Sequence, residues 1–384
     1  MKLRYNWQAV TALALLAFAL TQLSIIGSAV NAFYFPNAKE DLIAFALIKE
    51  GLIAAALVAL SAILSMSAGN KSVLTFAFGL LAHLGALQLL GTLSLAEGSA
   101  SLSYFATLAA SWLLAWRLVS VISGDGSRGS GEGWLGRLGV PALFGLWILI
   151  LWEAITRGAG VPFVLLPPPS AIGARFMASL PILGADFVQT VLKAVLFGFF
   201  VGSFSGFLVA ILADRFKFLS DGLLPIGNMV SALPIIGIAP VMVIWFGFDW
   251  QSKAAVVIVM TFFPMLVNTI EGLKAAGNME RDLMRTYASS HWQTLLKLRL
   301  PAALPFIFNA LKINSTLAMI GAIVAEFFGT PVVGMGFRIS TEVGRMNLDM
   351  VWAEIALAAI VGSLFYGAIA LLERAATFWH PSYR

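Results

Sequence analysis

Asp282–Pro305 reads DLMRTYASSHWQTLLKLRLPAALP, a polar and basic island set between two long apolar runs. From Glu280 to Tyr287 the residues are good helix formers, whereas Ser289 and Ser290 compete for backbone hydrogen bonds and favour a break. Ser290 with Gln293 three residues later fits a capping box, which predicts a second helix through Trp292, Leu295, Leu296 and Leu298 as far as Pro301. Two short amphipathic helices between apolar runs describe either an ordinary connector or a surface that grips a partner, and spacing alone leaves both readings open.

Outward from the island the chain is hydrocarbon. Of 384 residues 60% are apolar and 11% charged, more apolar surface than a water-soluble fold can hide, so the fold class is all-α and polytopic in a membrane. Ten runs are long enough to cross a hydrocarbon core of ~30 Å: Ala9–Ser28, Leu42–Met66, Ser72–Leu95, Ser101–Ile122, Leu138–Ile155, Gln189–Ala213, Leu223–Phe248, Lys253–Ile270, Ala302–Phe328 and Val351–Leu372. The basic N-terminus and the first run could form a signal peptide, but the run is long and no small-residue cleavage site follows before Tyr34, so it is read as a retained span. SGDGSRGSGEG at 123–133 is a flexible linker that divides a four-span module, 1–122, from a six-span domain, 134–384.

The formal charge of +5 reflects Lys and Arg gathered on one side, which puts both termini and the island in the cytoplasm and implies no nucleic acid. With no cysteine and only His83, His291 and His380, no metal site is expected, and no cofactor. No phosphate-binding loop occurs, so any ATP-driven reading needs a separate subunit. His83 and Gln88 inside the third span mark either a functional site or a helix-to-helix hydrogen bond, and Lys49 and Glu50 lie either at the outer interface or in a pair within the bundle. Gly198, Gly202 and Gly206 recur every four residues and make a flat face for a neighbouring helix. The seventh span is broken by Pro225, Pro234 and Pro240 and loosened by Gly227 and Gly237; the carbonyls so freed suit a wall that faces water, with a packing kink as the other reading.

The island resembles the cytoplasmic EAA loop of the permease subunits of bacterial ABC importers: Glu-Ala-Ala, three residues, Gly, nine residues, Ile, one residue, Leu-Pro. Leu300 and Pro301 fix the register, which puts Leu298 at the Ile, Ala288 at the Gly and Asp282, Leu283 and Met284 over Glu-Ala-Ala. A left-handed turn at the Gly position would strain Ala288 by roughly 1 kcal/mol. SALPIIGIAPVMVIWFG (231–247), FPMLVNT (263–269) and IVAEFFG (323–329) also look like the nitrate, sulfonate, taurine and pyrimidine-precursor branch, so the resemblance covers about Trp134 to Arg384. It implies a type I importer core of six helices, preceded here by four extra ones, in the membrane of a bacterial cell. It further implies a small polar solute brought by a periplasmic or lipid-anchored binding protein, a cytoplasmic ATPase, a second permease copy, and no enzymatic activity in this chain.

On that resemblance the island is the ATPase-coupling loop. Asp282 and Arg285 supply charge for register, Tyr287 and Trp292 anchor the partner, Ser290 caps the second helix, and Leu300–Pro301 form a stiff joint to the next span. Ser231, Pro234, Gly237 and Pro240 with Asn314 and Thr316 are expected along the pathway, and Glu326 is expected to face protein in a structural or gating role. An ion-coupled secondary transporter is the rival; no proline-broken counterpart in spans one to four supports it.

Overall fold

The computed structural model describes residues 7–32, 38–67, 72–93, 100–125, 134–231, 235–329 and 332–379, and these contain helices and no strand. Eight helices among them are long and apolar enough to cross a membrane. The 26-residue α1 (Trp7–Ala32) and the broken pair α9 (Lys217–Ser231) and α10 (Ile235–Phe246) complete the ten apolar segments expected. Pro234 lies outside the described residues, and Pro225 and Pro240, expected to break the seventh span, lie inside α9 and α10.

The chain packs as two compact units that divide between Ala171 and Ile172. In the first, α1 lies along α4 (Leu102–Asp125) and α2 (Ala38–Ser67) along α3 (Ser72–Thr92), around Leu16, Val58, Ala62, Ala82 and Leu114. A second cluster seats α5 (Trp134–Gly158) on α3 and α4, with Trp147, Ile150 and Ala154 buried against Leu89, Tyr104 and Leu108. Trp147 Nε1 donates to His83 Nε2 at 3.1 Å; that nitrogen therefore carries no proton, and His83 Nδ1 donates to the Gly79 carbonyl at 2.6 Å. Gln88 donates across to Glu50, so both polar positions of α3 make helix-to-helix bonds and Glu50 is held inside the bundle. The packing boundary falls one helix later than the Gly/Ser linker, whose residues 126–133 are not described.

In the second unit a short α6 (Pro169–Ala178) leads into α7 (Leu180–Phe187), which widens into a π-helical stretch, Val188–Val195, and continues as α8 (Leu196–Arg215). Then come α9, α10 and α11 (Trp250–Lys274), the island, α14 (Leu300–Glu326), α15 (Met335–Gly344) and α16 (Leu348–Ala376). At the centre α11 lies between α8 and α14. The glycine stripe makes this possible: a Cβ at Gly202 would sit 2.7 Å from the Ile258 carbonyl oxygen, and one at Gly198 2.8 Å from that of Ala254. Asn314 bolts the three helices together, its amide nitrogen donating to Ser203 Oγ at 2.9 Å and to the Thr261 carbonyl at 2.8 Å.

Candidate functional site

Two polar assemblies mark the two ends of α14. At its start the island forms α12 (Asn278–Thr286) and α13 (His291–Thr294). None of the residues of α12 is buried. Met279, Leu283, Tyr287, Trp292 and Leu296 are all more than half exposed, an apolar patch rimmed by the Asp282–Arg285 pair at 3.3 Å. Between the helices the chain reverses at Ala288, whose φ is +52°. Ala288 N–H bonds to the Arg285 carbonyl at 2.9 Å and Ser289 N–H to that of Met284 at 3.0 Å, the paired closure usually given to glycine. The capping box forms as its spacing predicts, with Gln293 N–H donating to Ser290 Oγ at 3.3 Å and Ser290 N–H to the Gln293 side chain at 2.8 Å.

The second helix does not stop at Pro301. Leu295–Arg299 widens to a π-helical turn in which Leu300 N–H reaches back to the Leu295 carbonyl, and α14 begins with Pro301 in its first turn. Proline has no N–H to give, so it is tolerated where the ladder is being reset. The island is thus the head of one continuous helix, His291–Glu326.

Two arginines fix that head to its neighbours. Arg281 donates to the carbonyls of Leu273 and Lys274, at 3.3 and 2.8 Å. Arg299 donates to the same Leu273 carbonyl at 3.1 Å and grips both oxygens of Asp214, at 2.7 and 2.6 Å. The last carbonyls of α11, orphaned by the helix end, are satisfied by these cations. With side chains 15% and 9% exposed, the Arg299–Asp214 fork is sheltered enough to set a geometry.

At the far end Glu326 is 2% exposed and accepts from Thr190 Oγ1 and from Gly336 N–H, each at 2.7 Å. Lys312 pairs with Glu373 of α16 at 2.8 Å. Asp186 accepts from Gly334 N–H at 2.6 Å and from Arg338 Nε at 2.9 Å, and Thr190 Oγ1 accepts from Met335 N–H at 2.8 Å. Three successive amides at the start of α15 are therefore held by side chains of α7, the π-helical stretch and α14. This is a clasp with the charge preference of a helix N-terminus. Burial works against the Arg338 charge, but the adjoining Asp186 carboxylate more than offsets it and raises the guanidinium above its ordinary range. Lys253 is buried beside them, donating to the carbonyls of Phe248, at 2.6 Å, and Gly329.

The expected pathway residues do not share one surface. Asn314 faces the interior between α8 and α11, whereas Thr316, two residues on, is exposed beside α16. Gly237 and Pro240 lie in α10, Gly237 exposed and Pro240 half-buried, and Ser231 ends α9.

A family model described as "Binding-protein-dependent transport system inner membrane component" matches residues 194–377, from α8 through the island to the end of α16. Among relatives, the formylaminopyrimidine transport permease protein ThiX of Halalkalibacterium halodurans is 30% identical over 62% of this chain and 95% of its own length. The chain belongs to this permease family. The putative aliphatic sulfonates transport permease protein SsuC of Bacillus subtilis, 30% identical over 65% of this chain and 90% of its own, and the taurine transport system permease protein TauC of Escherichia coli, 27% over 61% and 86%, are similar to it too. It is therefore the membrane permease subunit of an ABC importer, a family of transport proteins that work with an ATPase and a substrate-binding protein. Of this permease's fixed points, Arg281, Arg299, Asp214 and Asp186 are absent from the sequence reading. Only the basic character of the island hints at the first two, and nothing local signals that Asp214 lies 85 residues from its partner.

Proposed function

We propose that this permease imports a small polar solute of the kind named for its relatives, a sulfonate, taurine, bicarbonate, a formylaminopyrimidine or riboflavin, across a bacterial inner membrane. The observation that carries the proposal is the island: an exposed apolar patch with a charged rim, clamped by Arg281 and Arg299 to α11 and α8, at the head of a helix that runs to Glu326. A cytoplasmic ATPase docks on Tyr287 and Trp292, with Asp282 and Arg285 setting the register. Closure of the ATPase pair moves the clamped head as one body, and α11 and α14 swing with it. The binding protein delivers solute on the opposite side, beside the clasp, and a second copy of the chain completes the conduit. Both termini are cytoplasmic, in keeping with the excess of Lys and Arg on that side. Residues 1–122 form an appended membrane module distinct from the translocating core. The test is uptake by proteoliposomes holding the full chain, its ATPase and its binding protein. ATP-dependent accumulation is expected, whereas uptake that needs no ATPase and collapses with an uncoupler would favour an ion-coupled carrier.

A further inference from the structure

In its C-terminal half α14 runs beside α16, and the two leave a groove of about 480 Å³ open on one side. Its polar lining is three hydroxyls, Thr316 on α14 and Ser363 and Tyr366 on α16; Met319, Ile320 and Gly362 are among the rest, and no charged side chain is in the wall. Ser363 and Tyr366 are three residues apart, which on a helix sets them on one face, one turn above the other. Thr316, Ile320 and Ile323 follow the same rule on α14.

All three residues are exposed, and none of the hydroxyls makes a hydrogen bond among the described residues. Their depth gives that freedom weight. Thr316 is ten residues from the end of α14 and Ser363 fifteen from the start of α16, about 15 and 22 Å along helices that cross the bilayer. A hydroxyl left without a partner in hydrocarbon costs several kcal/mol on transfer scales, of order 4 or more where nothing can bond to it. Three of them converging on one groove offer bonds to water or to a solute. The hydroxyls of the helices that face the chain's own interior are placed otherwise. Thr261 on α11 bonds to the Val257 carbonyl at 2.8 Å, and Ser315 on α14 to the Lys312 carbonyl at 2.7 Å.

We infer that this groove is a wall of the solute path, and that Thr316, Ser363 and Tyr366 are the residues that contact the solute there. The inference rests on the permease function proposed above and gives it a location and a chemistry. Three neutral hydroxyls can donate to oxygens of a sulfonate, a carboxylate or a heterocycle carbonyl, and Met319 and Gly362 leave room for a flat or aliphatic remainder. Without a carboxylate in the wall, a cation finds no counter-charge. The solute class is a small hydrogen-bond acceptor, neutral or anionic. Because the α14 wall belongs to the helix headed by the island, displacement of the island shifts Thr316 against Ser363 and Tyr366, opening or narrowing the groove.

The chain contains no cysteine, so single thiols report cleanly. Thr316→Cys, Ser363→Cys and, as a lipid-facing control, Leu364→Cys are made in the full chain in native membranes. Each is labelled with a sulfonate-bearing and an ammonium-bearing methanethiosulfonate, and each rate is divided by that reagent's rate with a free thiol in water. Positions 316 and 363 are expected to react at least tenfold faster than 364, with the sulfonate reagent at least matching the ammonium one. Rates equal to those at 364 would put the groove in lipid and overturn the inference; a consistent ammonium preference would overturn the solute class. The cysteine substitutions are small, and Tyr366→Phe, which keeps the ring, is expected to raise the half-saturating solute concentration for uptake several-fold; unchanged uptake would argue against the contact. Docking of the ATPase is scored by co-purification in the same variants, so a groove that does not label while docking persists overturns the groove and leaves the permease reading standing.

Discussion

Ala288 is the residue at which sequence and backbone meet most sharply. The resemblance places it where the family has glycine, and the chain does turn left-handed there, at φ +52°. The left-handed conformation costs a residue with a Cβ roughly 1–2 kcal/mol, so Ala288→Gly is expected to stabilise the island by about 1 kcal/mol and to raise the thermal midpoint of the purified protein. A lowered midpoint would mean that the turn is held by something other than its own dihedral. Glu326 was legible for a different reason: one carboxylate at the end of an apolar helix has to find donors, and it finds Thr190 and Gly336. Glu326→Ala orphans two buried donors and is expected to cost about 2–6 kcal/mol, taking each as about 1–3, whereas Glu326→Gln retains acceptor capacity and costs less; thermal unfolding of the two variants side by side checks the ordering. Asp186 was not legible, because its partners lie about 150 residues away and no period in the sequence links them.

Among the elements, eight of the ten apolar segments form helices long enough to cross a membrane, and they could be read because hydrocarbon thickness imposes that length. The helix α15 could not: its ten residues begin at glycines and are held in place by side chains of other helices, so local pattern reads as a loop. The joint at Pro301 was read as a stop because proline disrupts a regular ladder, whereas the π-helical turn before it absorbs the missing N–H and carries the helix through. What ties this lever to α11 and α8 is then Arg299. Removing one partner of so sheltered a pair leaves Asp214 uncompensated, so Arg299→Ala is expected to destabilise by about 3–5 kcal/mol. Arg299→Lys keeps the charge but loses the two-pronged grip and the bond to Leu273. It is expected to fold and to transport more slowly at an undiminished rate of ATP hydrolysis. Proteoliposomes measured for both quantities decide it: a parallel fall in the two would assign Arg299 to folding alone.

Across the whole molecule the composition shift at 123–133 was visible, but the packing boundary was not, because side-chain contacts rather than linker chemistry decide where α5 sits. Trp147, Ile150 and Ala154 are buried in the first unit, so a shortened chain beginning at Gly133 would bare that face. It is expected to accumulate far less in the membrane than the full chain and to be more readily degraded, and accumulation equal to that of the full chain would show that α5 docks elsewhere when freed. The family model matches from residue 194, within the second unit, while the 62% of the chain aligned with ThiX is longer than that unit and reaches back into α5. Coupling at the island is the central claim, and its most direct measurement is solute-stimulated ATP hydrolysis in proteoliposomes carrying Asp282→Lys or Trp292→Ala. Both side chains are exposed, so the variants are expected to fold, insert and retain basal hydrolysis while stimulation by loaded binding protein and uptake fall at least tenfold. Full stimulation and full uptake in both variants would place the coupling surface elsewhere on the chain.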